Sequence, residues 1–402
     1  MIKKLAHHTG NIAGEINVSG SKSESNRLLI LQSLFPNLSL NNLSNSDDTK
    51  YLAKALKSTE ELVDISHAGT AMRFLTAYFS AKEKREVILT GSDRMQNRPI
   101  SILVDALRSL GADISYDKNE GYPPLRIKGR EISTSKVKIQ GNVSSQYISA
   151  LLLMAPGLKN GLEIELLGKV TSVPYIKMTL ALLSDLEIAH TWEDHLITIE
   201  PKDSIRDSVI TVESDWSSAS YFYSLVALSE NGKVTLSSYK KDSLQGDSSL
   251  VDIYKNFGVR TSFKQDKITL EKEKIELIPL TLDLSDSPDL AQTIAVTCFG
   301  MGMACDLTGL HTLKIKETDR LVALQQELEK LGADISVTDK SLHLKAGSTI
   351  NKDVLIKTYD DHRMAMAFAP LALKVPIQID DAEVVTKSYT DFWADFEAVL
   401  NG

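Results

Sequence analysis

A five-residue sequence that occurs twice constrains the fold of this chain more than any other feature. Leu-Gly-Ala-Asp-Ile stands at residues 110–114 and again at 331–335. Each copy has the pattern of a helix that ends at glycine, and two short alternating runs that predict a β-hairpin follow it. A looser copy covers 254–260 and a weaker one 178–199. The pattern returns about every 70 to 75 residues, which predicts a chain of five or six similar units.

The content of each unit indicates the fold class. A helix, a hairpin and further strands in every unit form an α+β pattern rather than a strict alternation of strand and helix. The chain has 402 residues, more than one ordinary hydrophobic core accommodates, which indicates two or three domains. We expect domain boundaries within 14–20 and near 208–215, because a new helix is predicted to begin at Trp216.

The composition excludes several classes of protein. Hydrophobic residues make up 43% and charged residues 24% of the chain, as in globular proteins. The net charge of -8 argues against a protein that binds duplex nucleic acid. The longest apolar stretch, 148–158, is too short to span a bilayer and the start has no secretion signal, so we expect a cytosolic protein. Cys298 and Cys305 match no metal-ligand spacing or disulfide framework and are predicted to be buried.

The arginines are concentrated in a few short polar segments. Arginine binds carboxylate and phosphate groups through two parallel hydrogen bonds, whereas scattered lysines mainly solvate a surface. Segments that combine arginine with Gly, Ser, Thr and Asp are therefore candidates for an anion site. Their arginines are Arg27, Arg73, Arg94, Arg98, Arg320 and Arg363.

Three of these segments lie in the first hundred residues, each beside a predicted helix start. Free backbone N–H groups at a helix start attract anions, and Gly69 lets a ligand approach the backbone. A plain helix cap or a solvated turn would explain each segment taken alone. The segments are 20–27 before a helix predicted at 28–34, 66–73 at the start of one at 71–81, and 90–99 before one at 100–110.

Hydroxyl and amide side chains collect at two further predicted helix starts. Ser144, Ser145 and Gln146 precede an apolar helix, and Ser172 and Tyr175 flank a start marked by proline. Such groups suit a phosphate or the hydroxyls of a sugar-like ligand, although helix capping alone would also explain them.

The later half of the chain contributes carboxylates and further cations. Asp289 is predicted just inside a helix that begins at Pro288. Ion pairs on a solvated helix face are the ordinary explanation for such charges. Their joint occurrence at helix starts in both halves instead predicts a site for a ligand with phosphate, carboxylate and hydroxyl groups. The other charged residues are Lys316, Glu317 and Arg320 in one predicted helical turn, Arg363 before a helix predicted at 364–373, and Lys387 in a polar stretch.

Five segments, in order along nearly the whole chain, resemble motifs of the 5-enolpyruvylshikimate-3-phosphate synthase family. The resemblance implies an α/β (α+β), two-domain enolpyruvyl transferase-like fold of six β-α-β-α-β-β units, three per domain, arranged as inside-out α/β barrels. It implies a discontinuous domain of 1–19 and 214–402 that closes on phosphoenolpyruvate and carries the acid and base, and a domain of 20–213 that binds shikimate 3-phosphate. The segments are Gly-Ser-Lys-Ser-Glu-Ser-Asn-Arg (20–27), Ala-Gly-Thr-Ala-Met-Arg (68–73), Val-Ser-Ser-Gln (143–146), Lys-Glu-Thr-Asp-Arg (316–320) and Asp-His-Arg-Met-Ala-Met (361–366).

The activity implied by this resemblance is the transfer of a carboxyvinyl group. The group moves from phosphoenolpyruvate to the 5-hydroxyl of shikimate 3-phosphate and phosphate is released, in the shikimate pathway to chorismate and the aromatic amino acids. No metal or organic cofactor is expected. The expected partners are these two small molecules, with no nucleic acid, no membrane and a monomeric state.

The resemblance also implies a role for individual residues. Asp289 is assigned to accept the 5-hydroxyl proton and Glu317 to protonate the methylene carbon. The exchanged roles stay open, as do proton transfers by Lys22 or Lys387, because a lysine in a cationic pocket loses its proton more readily. Shikimate 3-phosphate is expected at Lys22, Ser23, Arg27, Ser144, Ser145, Gln146, Ser172, Tyr175, Asp289 and Lys316, and phosphoenolpyruvate at Lys22, Gly69, Arg98, Gln146, Arg320, Arg363 and Lys387.

The chain departs from the family pattern at two positions. His67 and Thr312 stand where the family usually has asparagine, and Thr312 is a further candidate contact of shikimate 3-phosphate. Gly69 is retained, so we expect inhibition by glyphosate.

Two other functions stay open at this point. The sister enzyme UDP-N-acetylglucosamine 1-carboxyvinyltransferase shares fold and reaction, but it typically carries a cysteine in a mobile loop, and neither Cys298 nor Cys305 lies there. A non-catalytic anion-binding relative would lack the acid or the base, and this chain retains both Asp289 and Glu317.

Overall fold

The computed structural model describes residues 1–7, 10–142, 144–171, 173–347 and 349–402. The chain forms two compact units. One combines Met1–Ser19 with Glu213–Gly402, and the other is Gly20–Val212. We refer to them as the discontinuous unit and the central unit. Each has its own hydrophobic core.

The strands are short, between three and seven residues. In chain order they are β1 (Lys3–Leu5), β2 (Asn11–Ile16), β3 (Leu38–Asn41), β4 (Leu62–Asp64), β5 (Glu86–Thr90), β6 (Asp113–Tyr116), β7 (Leu125–Lys128), β8 (Lys136–Gln140), β9 (Leu162–Leu167), β10 (His190–Glu193), β11 (Leu196–Ile199), β12 (Ser208–Thr211), β13 (Asn231–Ser237), β14 (Val259–Lys264), β15 (Lys267–Lys272), β16 (Leu280–Asp283), β17 (Cys305–Thr308), β18 (Ile335–Val337), β19 (Leu342–Leu344), β20 (Val354–Ile356) and β21 (Ile377–Ile379).

The helices lie between these strands. They are α1 (Lys22–Leu34), α2 (Asp47–Lys57), α3 (Gly69–Ala81), α4 (Asp93–Gln96), α5 (Ser101–Ser109), α6 (Ser145–Met154), α7 (Val173–Asp185), α8 (Trp216–Leu228), α9 (Leu250–Ile253), α10 (Ala291–Gly300), α11 (Arg320–Leu331), α12 (His362–Phe368) and α13 (Phe392–Asn401). Short 3-10 turns occupy Ala155–Gly157, Gly246–Ser249, Tyr254–Phe257, Pro288–Leu290, His311–Ile315, Ala369–Leu373 and Ala382–Lys387.

Four of the sheets in the described part of the chain share one topology. Their spatial orders are β4-β5-β7-β6, β8-β9-β11-β10, β2-β13-β15-β14 and β16-β17-β19-β18. In each, the first two strands are parallel and the last two form an antiparallel hairpin. Parallel neighbours require a crossover helix, whereas a hairpin needs only a turn, so each unit reads β-α-β-α-β-β. The hairpins predicted after each repeated segment are confirmed.

Two further sheets are completed by strands that are distant in sequence. In the central unit β12 pairs with β3 in parallel. In the discontinuous unit β20 pairs in parallel with β21, and β1 adds to β21 in antiparallel fashion. Each unit therefore has three sheets among its described residues, and the predicted mixed α/β fold of repeated units is confirmed.

The helix ends of the repeats have one backbone geometry. Gly111 and Gly332 each follow a helix with φ of 101°, and their N–H groups donate to Arg108 and Glu329, respectively. In the weaker fourth copy the same place is taken by Glu187, with φ of 54° and its N–H donating to Ser184. Glycine reaches this left-handed region without steric cost, whereas glutamate does not.

The central helices of each core are buried on nearly all sides. In α8, all of which is described, Ser217 is the one residue that is not buried. The sequence of α8 is apolar or small around its whole circumference, which is the pattern of a buried helix. The first turn of α8 is therefore fixed in place, and Ser217 is its accessible point. Cys298 and Cys305 are buried free thiols, as predicted.

None of the helices in the described part of the chain combines the length and the apolar character needed to cross a bilayer.

Candidate functional site

The segment 20–27 of the central unit is helical from Lys22 onward and is not a loop before a helix. The prediction of a helix start at residue 28 is wrong, because α1 begins at Lys22 after Ser21. Serine and glutamate are well suited to a first turn, so a polar start extends the apolar helix without a break. Lys22 Nζ lies 3.8 Å from Asp48 Oδ2, which pairs this lysine with a carboxylate that the sequence did not indicate.

Arg27 is buried and connects three helices of the central unit. Its Nε donates to Thr179 Oγ1 (2.8 Å) and its Nη2 to Ser149 Oγ (3.0 Å), while Nη1 donates to the carbonyl of Ser23 (2.7 Å). The guanidinium also lies 5.9 Å from the ring of Tyr175. Burial lowers the pKa of Arg27 to about 10. A pKa of about 10 keeps the buried Arg27 guanidinium positively charged at neutral pH. Its hydrogen bonds end on neutral oxygens and fix Ser23 and Tyr175 around it.

Gly69 and Arg98 are in direct contact. A methyl group added at Gly69 would lie 2.5 Å from Arg98 Nη1. The carbonyl of Gly69 accepts a hydrogen bond of 3.1 Å from Arg73, which also donates to the carbonyl of Pro99 (3.2 Å). Burial and the neighbouring Arg98 lower the pKa of Arg73 to about 10. Arg73 thus holds two stretches of backbone together, and it is Arg98 that lies at the start of α3.

Gln146 joins this group from α6. Its Nε2 donates to Thr70 Oγ1 at 3.3 Å, which connects the first turns of α3 and α6. Ser144 caps α6 by accepting from the Gln146 N–H (3.4 Å), and Ser145 is buried in its first turn. Capping by serine, the ordinary explanation, therefore holds for Ser144. Ser172, with Val143 of the motif, lies outside the described residues.

His67 lies between the two clusters of the central unit. Its Nε2 is 4.0 Å from Asp48 Oδ1, and its ring meets Tyr51 edge-on with centroids 5.8 Å apart. Asp48 therefore faces both Lys22 and His67, and it is His67 that stands where the family usually has asparagine.

In the discontinuous unit, Arg320 is surrounded by three carboxylates. It is 2% exposed and donates to Asp361 Oδ2 (2.6 Å), Asp289 Oδ1 (2.8 Å) and Glu317 Oε2 (2.6 Å). Burial alone would lower the pKa of Arg320, but the three carboxylates raise it above its ordinary value. The guanidinium is thus permanently charged and brings together Asp289 and Glu317, which the sequence placed 28 residues apart.

Asp289 is shared by three cations. Besides Arg320, it meets Arg363 Nη2 through Oδ2 (3.1 Å) and Lys316 Nζ through Oδ1 (3.7 Å). Asp289 lies in the 3-10 turn that begins at Pro288, as predicted. Such a cluster holds a carboxylate as the anion and presents several donors to a second anion.

Lys387 lies beside the turn that leads into α12. Its Nζ donates to the carbonyl of Asp360 at 2.8 Å. Tyr359 and Asp360 have φ of 54° and 57°, a conformation that non-glycine residues adopt at a cost. Aspartate is among the residues that tolerate this region, but tyrosine is not, and the sequence around Tyr359 carries no other signal for the turn.

Two predicted helical segments need correction. Lys316 and Glu317 are not in a helical turn with Arg320, because α11 begins at Arg320 and Asp319 caps it by accepting from the Val322 N–H (3.3 Å). The helix predicted at 364–373 begins earlier, at His362, with Asp361 as its cap, and changes to a 3-10 turn at Ala369. Aspartate satisfies the free N–H groups of a first turn, which decides both starts.

Sequence reasoning missed several residues that complete these clusters. Asp361 was part of a recognised motif, but its contact with Arg320 was not indicated. Asp48, Ser217 and Asp247 lie in segments without a motif, and no local pattern would have identified them. Thr312 Oγ1 is buried and has no hydrogen-bond partner among the described residues.

Comparison with known proteins places this arrangement in a family. The sequence model of EPSP synthase (3-phosphoshikimate 1-carboxyvinyltransferase) matches residues 57–396. A 3-phosphoshikimate 1-carboxyvinyltransferase of Bacteroides fragilis (strain YCH46) is 47% identical over 399 residues, covering 98% of this chain and 97% of the relative. One of Haemophilus influenzae (strain PittEE) is 38% identical and covers 96% of each chain.

Solved structures agree on the fold. EPSP synthase from Acinetobacter baumannii has a TM-score of 0.79 at 20% identity, covering 99% of this chain and 98% of that one. The enolpyruvyl transferase NikO from Streptomyces tendae has a TM-score of 0.74 at 15% identity, covering 99% and 97%. The similarity extends over both compact units, and this chain belongs to the EPSP synthase family.

Proposed function

We propose that this chain transfers the carboxyvinyl group of phosphoenolpyruvate to the 5-hydroxyl of shikimate 3-phosphate and releases phosphate. The observation that carries the proposal is the sharing of Asp289 among Arg320, Arg363 and Lys316. A carboxylate that can act as a base is placed there among donors for the carboxylate and phosphate of phosphoenolpyruvate. Family membership supplies the identity of both substrates.

We assign different binding groups to residues of each unit. We assign shikimate 3-phosphate to the central unit, where Arg27 is a buried cation that binds the carbonyl of Ser23, and Ser144 and Ser145 start α6. Tyr175, whose ring lies 5.9 Å from that guanidinium, and Ser172 are assigned to the same substrate by the family pattern. Phosphoenolpyruvate is assigned to Gly69, Arg98 and Gln146 of the central unit. The residues of the discontinuous unit assigned to phosphoenolpyruvate are Arg320, Arg363 and Lys387, while Lys22 and Lys316 contact both substrates.

The chemistry requires two proton transfers in the addition step. The 5-hydroxyl oxygen attacks the substituted enol carbon and loses its proton to Asp289, while Glu317 gives a proton to the methylene carbon. The product of addition is a tetrahedral intermediate. Its phosphate then leaves with the proton that Asp289 had accepted, while the methyl group returns a proton to Glu317, which restores the carbon–carbon double bond and both carboxyl groups. No external oxidant or reductant is needed.

Bound anions would rearrange the charges around Asp289. Without them, Arg320 and Arg363 donate to Asp289 and Glu317. The carboxylate and phosphate of phosphoenolpyruvate compete for the same donors, because each guanidinium has a limited number of N–H groups. Binding of phosphoenolpyruvate therefore loosens the hold of the arginines on the two carboxylates and leaves these available for proton transfer.

Phosphate release is the direct test of this function. The purified protein is mixed with phosphoenolpyruvate and shikimate 3-phosphate without added metal, with UDP-N-acetylglucosamine as the alternative acceptor. We expect release with shikimate 3-phosphate alone, and a loss of at least about 100-fold in kcat for Asp289→Ala and for Glu317→Gln. Release with the nucleotide sugar alone, or with neither acceptor, contradicts the proposal.

We also propose that the protein works as a cytosolic monomer. Each unit has a core of its own, and the composition is that of a globular protein. Sedimentation equilibrium should give the mass of one chain of 44.3 kDa, and a larger mass would contradict this.

A further inference from the structure

A serine hydroxyl connects the arginine cluster to a second buried carboxylate. Ser217 Oγ accepts a hydrogen bond from Arg363 Nη2 at 3.2 Å and donates its proton to Asp247 Oδ2. A hydroxyl has a single proton, so donation to Asp247 turns the oxygen lone pairs toward Arg363. The contact runs in order from Asp247 through Ser217 to Arg363.

The position of Ser217 makes this connection rigid. It lies in the first turn of α8, which Asp215 caps by accepting from the Ser218 N–H at 2.8 Å. The rest of α8 is buried, so the first turn cannot shift without disturbing the core of the discontinuous unit. Ser217 is therefore a fixed acceptor for the Arg363 guanidinium.

Asp247 is an unusual group to bury at this place. It is 6% exposed and lies in the 3-10 turn Gly246–Ser249. Burial and the negative charge of Asp289 raise the pKa of Asp247 to about 6, against the opposing effects of Arg363 and the Ser217 hydrogen bond. Asp215 is the second carboxylate that faces it. An exchange of Asp247 for a neutral residue would remove this charge repulsion, so its presence calls for a function.

We propose that Asp247 is a positioning residue. It acts through Ser217 to hold Arg363 in the orientation that receives phosphoenolpyruvate. The inference rests on the proposed function. When Ser217 is held by Asp247, Arg363 Nη2 has two fixed partners, Ser217 and Asp289. When the Ser217 hydroxyl is removed, Asp289 is the remaining described partner of Nη2. The guanidinium then turns toward Asp289 and away from the incoming substrate.

The test compares single and double variants by steady-state kinetics. Ser217→Ala removes the hydrogen bond to Arg363, and Asp247→Asn replaces the carboxylate by a neutral amide that holds the Ser217 hydroxyl less strongly. Each should raise the KM for phosphoenolpyruvate about 3- to 10-fold. The KM for shikimate 3-phosphate and kcat should stay within about 2-fold. Because the two residues act in series, the double variant should be no worse than the more damaged single one. Ser217→Thr, which keeps the hydroxyl, should restore most of the affinity.

Two controls separate positioning from a general structural effect. Ser229→Ala removes a buried hydroxyl at the opposite end of α8, where it donates to the carbonyl of Val226 (2.8 Å), and should leave the KM for phosphoenolpyruvate unchanged. The second control is pH. Below about pH 6 the wild-type Asp247 carries a proton and resembles asparagine, so the KM difference between wild type and Asp247→Asn should shrink at pH 5.5 relative to pH 7.5.

Several outcomes would overturn the inference. Additive effects of the two substitutions would show that Asp247 does not act through Ser217, and equal increases in both KM values would indicate a general loss of structure. Turnover of the wild type is measured first, because its absence contradicts the proposed function and not the positioning pair. In that case calorimetric titration of phosphoenolpyruvate into the same variants tests the positioning role. Affinities equal to that of the wild type would refute the positioning role of Asp247 and Ser217.

Discussion

The backbone of Gly69 lies against the guanidinium of Arg98, so that a methyl group added at Gly69 would lie 2.5 Å from Arg98 Nη1. Gly69→Ala should therefore push Arg98 aside without disturbing the fold, since the end of a long side chain yields more easily than backbone. We expect the KM for phosphoenolpyruvate to rise roughly 10-fold, or about 1.4 kcal/mol of binding free energy. The matched control is Gly347→Ala, where the added methyl meets nothing within 4 Å. An unchanged KM in Gly69→Ala would show that Arg98 does not bind this substrate.

Glyphosate should inhibit the wild-type enzyme in competition with phosphoenolpyruvate. Gly69 has no side chain of its own, so the Arg98 guanidinium lies against its backbone, where an anion can reach it. In Gly69→Ala the displaced guanidinium should weaken inhibition by at least the roughly 10-fold expected for the substrate. The measurement is the inhibition constant at several phosphoenolpyruvate concentrations. Full wild-type activity at saturating glyphosate would contradict the prediction.

Arg320→Lys should be both unstable and inactive. Lysine cannot reproduce the separate hydrogen bonds to Asp361, Asp289 and Glu317, and Asp361 is fully buried. A buried carboxylate left without its partner costs about 3 to 5 kcal/mol, and we expect a loss near the lower figure because the charge is kept. Urea unfolding gives the free energy. The control is Arg260→Lys, because the Arg260 side chain is 54% exposed in its ion pair with Glu271. This substitution should change the free energy of unfolding by less than about 0.5 kcal/mol.

Glu187→Gly should stabilise the central unit. Glu187 has φ of 54° at a helix end where three other repeats have glycine, at Gly111, Gly258 and Gly332. Relief of the left-handed strain should add about 0.5 to 1 kcal/mol to the free energy of unfolding. The greater flexibility of glycine in the unfolded chain offsets part of this gain. Gly111→Ala is the reverse experiment, since its methyl would meet nothing within 4 Å and only the φ of 101° opposes it. Thermal unfolding should move in opposite directions for the two variants, and a shift of the same sign would refute the explanation.

Asp247→Asn should stabilise the protein at neutral pH while it weakens phosphoenolpyruvate binding. The folded state raises the pKa of Asp247 from 3.8 to about 6, so the folded protein binds this proton more tightly than the unfolded chain does. Ionisation therefore lowers stability as the pH rises through this interval, by up to about 3 kcal/mol above pH 6. Urea unfolding should show the gain of the variant at pH 8 and little of it near pH 4. A gain of equal size at both pH values would exclude ionisation as its cause.

Local signals in the sequence were sufficient for the repeated architecture. A helix end followed by Gly111 or Gly332 and a hairpin depends on residues within a few positions of one another, and these elements formed where they were predicted. The segments that contain Asp289, Arg320 and Arg363 were identified from their charges, and the structure brings these three side chains into contact. The helix starts at Lys22 and Arg320 were missed, because a polar first turn and an aspartate cap look locally like a loop.

Which residues meet was decided by the tertiary structure. Arg320 reaches Asp289 and Asp361, 31 and 41 positions away, and Ser217 reaches Arg363 across 146 positions. Periodicity and turn residues carry no information about such pairs, since the pairing follows from how separate helices pack in one core. The sequence by itself determined the repeated units and the chemical groups of the site. The packing of those units determined that Arg320 is buried among three carboxylates and that Asp247 reaches Arg363 through Ser217.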